Sequence, residues 1–111
     1  MKMRLVFDKK YDIMSGEYIV RVRELDLDEE LKAIVDGFDP KVRIRGEELG
    51  LNELTEKVFK AGTREDAEKI MSEIRGALVE TFSSLIARFK EAQSFNGSVV
   101  YEIDFNELFK E

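Results

Sequence analysis

Seven basic residues recur at every second position in three short stretches of the sequence. They are Lys2 and Arg4, Arg21 and Arg23, and Lys41, Arg43 and Arg45. Alternate positions form one face of a β-strand. If the three stretches share a sheet, one of its faces is cationic. The chain as a whole carries a net charge of −6, so such a face is a local reversal of sign. Five of the eight arginines belong to this set. A guanidinium makes planar, paired hydrogen bonds to carboxylates or phosphates, so the set points to anion recognition rather than to solubility alone.

Other chemistry is poorly supplied. There is no histidine and no cysteine. That removes the usual general base near neutral pH, the commonest metal ligand, the thiolate nucleophile and the disulfide. The acidic run Asp26–Glu30 resembles a calcium loop only superficially, because the sixth position, which needs glycine, is Leu31. Gly46, Gly50 and Gly62 do not fit a phosphate-binding loop or a dinucleotide fingerprint. Ser83 and Ser84 have no histidine to activate them. No catalytic residue, cofactor or metal site is therefore expected. A carboxylate-based enzyme is the third-ranked expectation.

Like charges placed side by side on a sheet cost about 0.2–1 kcal/mol per pair, so a cationic face needs compensation. It can be neutralised by Glu102 and Asp104, if their strand lies beside the basic ones. It can bind a protein partner, with Val6, Ile19 and Val100 as apolar contacts among the charges, since arginine and apolar residues are enriched in interfaces. It can also bind nucleic acid. Sheet surfaces that hold single-stranded RNA stack bases on exposed aromatics. Here Phe7, Tyr18, Tyr101 and Phe105 all fall on the opposite, inward parity, which places RNA binding second.

The elements that must position these residues follow from periodicity. Residues 1–7 alternate, with Met1, Met3, Leu5 and Phe7 inward. Lys9 to Gly16 is expected to be a long hairpin loop. Residues 17–24 alternate again around Tyr18, Val20 and Val22. Leu27, Leu31, Ile34 and Val35 share a helical face, with Asp26 as the expected cap and Gly37 as the expected stop. A short strand at 41–45 has Val42 and Ile44 inward. Asn52 is expected to cap a short helix carrying Leu54, Val58 and Phe59, which ends near Gly62. Thr63 caps a long helix running to about Gln93. A last strand is expected at 98–105, and one turn of helix at 106–111 after it.

The order ββαβααβ implies a single α+β domain over residues 1–111. Its expected core is a four-stranded, mostly antiparallel sheet with helices on one face and one long C-terminal helix.

The long helix bears a stripe of Ala67, Met71, Ile74, Leu78, Phe82, Leu85, Phe89 and Ala92. Thirty helical residues reach about 45 Å, more than a compact domain of this size spans. The helix must overhang or bend, and Gly76 is the expected hinge. Val79 and Ile86 form a second seam that needs a second neighbour. The leading expectation is thus a small, non-catalytic, self-associating interaction module. Its partner is another protein or a second copy of itself. No apolar run approaches the ~18 residues of a membrane span, and no secretory leader is visible, so a cytoplasmic protein is expected. Charged residues make up 38% of the chain, and with no cysteine and a single proline this resembles a thermophile composition.

Overall fold

A long β-hairpin opens the chain in the computed structural model, which describes residues 1–108. Strand β1 spans Met3–Asp12 and β2 spans Glu17–Leu27. The strands continue well into the stretch expected to be loop, and only residues 13–16 turn. Asp12 organises that turn. Its carboxylate accepts from the Met14 backbone N–H, and its carbonyl from the N–H of Gly16, which sits at φ +72°.

Val6 pairs with Glu24, but Phe7 pairs with Val22, so Arg23 is an extra residue and makes a β-bulge. The bulge resets the alternation of β2. Val20 and Val22 face the core before it, and Leu25 and Leu27 after it. Leu27 therefore ends a strand rather than starting a helix.

Helix α1 runs from Glu29 to Phe38. Its cap is Asp28, not Asp26: the Asp28 side chain accepts from the Leu31 N–H at 3.1 Å. It stops at Asp39, not Gly37, with Asp39 at φ 44°. Strands β3 (Lys41–Ile44) and β4 (Glu47–Gly50) form a second hairpin that the periodicity did not reveal. Its two-residue turn has Arg45 at φ 51° and Gly46 at φ 81°. Positive φ at both central positions is the turn whose twist suits a two-residue hairpin.

Helix α2 is short, Leu51–Glu56. Its cap is Gly50, whose N–H donates to Glu53, and not Asn52. Val58 and Phe59 lie beyond it on strand β5 (Val58–Ala61). Helix α3 then runs unbroken from Arg64 to Phe95, straight through Gly76, and Thr63 caps it by accepting from Asp66.

The sheet is not a single four-stranded one. One antiparallel sheet has the order β1-β2-β5, and β3-β4 is separate. Helix α3 packs against β2, β5 and β3 and so joins the two. One continuous core results, containing Val20 and Val22, Val42 and Ile44, Leu54, Phe59, and Ile70, Ile74, Leu78 and Phe82 of α3.

Residues 98–104 form no strand. They carry no regular secondary structure and are exposed, leading to a single helical turn, α4, at Phe105–Leu108. The expected turn at 106–111 falls partly outside the described residues. The molecule measures 92 × 24 × 17 Å, with a radius of gyration of 22.9 Å. A compact domain of this length has about 13 Å. The 32 residues of α3 alone reach about 48 Å at 1.5 Å per residue.

Candidate interaction surfaces

All seven basic residues are exposed, but they do not form one surface. Arg4, Arg21 and Arg23 lie on the outer face of the first hairpin, beside Lys2. Lys41 and Arg43 belong to the other sheet. Arg45 lies on no strand face. It occupies the β3–β4 turn, where its Nε donates to Glu73 of α3 at 2.9 Å. That contact ties the turn to the long helix. Substituting Arg21, Arg43 and Arg45 together would therefore perturb three separate places.

On the hairpin's outer face the compensation is local. Asp8 lies 3.6 Å from Arg21 and 3.4 Å from Arg23. Arg4 lies opposite Asp26 in the strand register. Glu102 and Asp104 take no part, because their segment joins neither sheet. The two Asp8 ion pairs are half-exposed and each contributes about 0–1 kcal/mol. Val6 and Ile19 are half-buried there, and Val58 of β5 is exposed beside them. A shallow cleft of about 540 Å³ between the strands is lined by Asp8, Lys9, Lys10, Ile19, Arg21 and Val58. Tyr11 and Tyr18 pack against each other on the inward parity, ring centroids 4.8 Å apart and planes tilted by 44°, so the outer face lacks the aromatic platform that RNA bases need.

The N-terminus is fastened to this hairpin by Asp28. Its carboxylate accepts from the Lys2 N–H at 2.6 Å and lies 3.4 Å from the terminal ammonium. The Leu31 N–H, followed by the Lys2 N–H and the ammonium, holds the Asp28 carboxyl below the ordinary aspartate range. The Met14 N–H and the Ser15 hydroxyl do the same for Asp12. Both shifts arise from structural caps on partly exposed groups rather than from a reactive site. No cluster able to hold a metal ion occurs among the described residues.

The second seam of α3 has two different halves. Val79 is 52% exposed, whereas Ile86 is half-buried against the core. Core contact ends near Phe89, and the last turns of α3 stand clear of the body.

The largest apolar exposure was not legible as such from sequence. Phe95, Val99, Val100, Tyr101, Ile103 and Phe105 are each 63–88% exposed. Alternation identified this stretch as strand-like, but periodicity says nothing about whether a chain supplies a neighbour for its own strand. No helix among the described residues is long and apolar enough to cross a membrane.

Comparison with models of known protein families, with curated proteins and with solved structures gives no match.

Proposed function

We propose that this chain is a small, non-catalytic protein-interaction module that works by self-association. The projecting end of α3 and the arm that follows are its contact surface. The observation that carries this reading is the arm's composition. Six large apolar residues within eleven positions are each mostly exposed to water. Scattered apolar residues on a surface are ordinary, but a contiguous apolar segment marks an interaction site. The absence of histidine and cysteine supports a binding role over a catalytic one.

Light scattering coupled to gel filtration, at two protein concentrations a hundredfold apart, tests this. A dimer or larger species that dissociates on dilution is expected. A monomer at both concentrations would remove the proposal.

A further inference from the structure

The arm has a complementary surface on the chain itself. In the order β1-β2-β5, strand β1 is an edge, and no described residue pairs with its outer side. The backbone shows which groups are open there. Lys2 donates its N–H to the Asp28 side chain, and its carbonyl accepts the Asp28 N–H. Both polar groups of Lys2 thus face β2. In an antiparallel ladder, residues facing one neighbour alternate with residues facing the other. The bulge lies on β2, so this alternation continues undisturbed along β1. Met3, Leu5 and Phe7 therefore present their N–H and C=O groups at the free edge. Such an edge is a template for another strand.

Residues 105 to 98 laid antiparallel to residues 1 to 8 match it position by position. Ile103 falls opposite Met3, Tyr101 opposite Leu5, and Val99 opposite Phe7, extending the half-buried row on the core side. On the outer side Val100 meets Val6, Glu102 meets Arg4, and Asp104 meets Lys2. Every apolar residue from 99 to 105 gains an apolar partner, and both acids gain a base. Sliding the register by two residues in either direction leaves a single ion pair and sets a valine of the arm or Val6 against a charged residue. Strand β3 offers the same basic spacing at Lys41 and Arg43. It has only four residues, bounded by Pro40, which has no N–H, and by the turn at Arg45.

The arm cannot be on its own β1 in this structure, since it is exposed throughout and the molecule extends over 92 Å. We infer that residues 98–105 add as an antiparallel strand to the open β1 edge of a second copy of this chain. This rests on the self-association proposed above and names the surfaces that carry it. The arm supplies main-chain hydrogen bonds to Met3, Leu5 and Phe7, and the alternating side chains set the register. Val6 and Val100 then form a non-hydrogen-bonded pair, the closest side-chain approach in an antiparallel ladder and one within disulfide reach.

The chain has no cysteine, so disulfide trapping is clean. Val6→Cys and Val100→Cys proteins, distinguished by a mass tag, are mixed in a glutathione redox buffer, and linked peptides are identified by mass spectrometry. A dominant 6–100 link between copies is expected. Moving the second cysteine to Tyr101→Cys turns it to the other face and should abolish the link. A link from Glu102→Cys to Arg43→Cys instead would place the arm on β3 and overturn the assignment. A double variant V6C/V100C that closes on itself as a monomer would overturn the second copy. If no 6–100 link forms while the unmodified protein scatters as a dimer, the strand pairing fails and self-association stands. If it is a monomer throughout, both fail.

Discussion

Replacing Ile103 by serine separates an arm that binds from an arm that is merely exposed. Ile103 is 65% exposed in the single chain. Burying an isoleucine completely is worth about 1.5–3 kcal/mol. Covering the remaining two thirds on a partner therefore contributes about 1–2 kcal/mol per arm, and serine forfeits nearly all of it. A reciprocal dimer has two arms, so the loss is about 2–4 kcal/mol. That corresponds to a dimer about thirty- to about nine-hundredfold weaker. The stability of the monomer should change by no more than about 0.5 kcal/mol, the usual range for a surface site without partners. Sedimentation equilibrium over a range of concentrations gives the first quantity, and urea unfolding at high dilution gives the second. An unchanged dimer constant would refute the burial argument. A monomer destabilised by more than about 1 kcal/mol would show that Ile103 packs within its own chain.

Further expectations concern the charges of the arm and the elements that hold the body together. Glu102→Arg should weaken dimerisation by about 0.5–1 kcal/mol per arm, and Arg4→Glu in the same chain should restore it, as measured by the same sedimentation series. Ile74→Ala empties a fully buried site on α3 and should cost about 2–5 kcal/mol in urea unfolding. Gly46→Ala forces a side chain into φ +81° and should cost about 1–2 kcal/mol, whereas Gly76→Ala, at an exposed helical position with open space around it, should stabilise by about 0.5–1 kcal/mol. Asp28 has its carboxyl held below the ordinary aspartate range by the Leu31 N–H. Its contribution is thus fully present above the unfolded value near 3.9 and is lost as pH falls through the lower folded value. Asp28→Asn should reduce stability at neutral pH and flatten that part of the acid-unfolding curve.

Local pattern carried much of the fold. Thr63 caps α3 and the helix ends within two residues of the expected position, because a cap hydrogen bond and a 3.6-residue stripe act over a few neighbours. Val20, Val22, Val42 and Ile44 are buried as alternation requires. Where a tertiary partner decides the conformation, the pattern misled. Arg23 is indistinguishable in sequence from any outward strand residue, yet its place opposite nothing on β1 makes the bulge that shifts Leu25 and Leu27 inward. Val58 and Phe59 fit a helical face, but β2 offers an edge at Tyr18–Arg21 and takes them as a strand. Arg45 continues the basic alternation in sequence, although the turn with Gly46 removes it from any face.

The sequence by itself determined that this is an α+β chain with a long C-terminal helix, an acidic surface and basic residues on the outward parity of its strands. Those properties follow from backbone sterics and from the cost of burying charge, which act residue by residue. Only the tertiary structure decided which strands are neighbours. It divided the seven basic residues between two sheets and a turn, and gave Asp8 the compensating role that Glu102 and Asp104 would have filled had their strand lain beside the basic ones. It also left those two acids on an arm of alternating apolar residues with no strand beside it. Pairing joins residues far apart in the chain, and strand-forming character does not specify which edge will be reached.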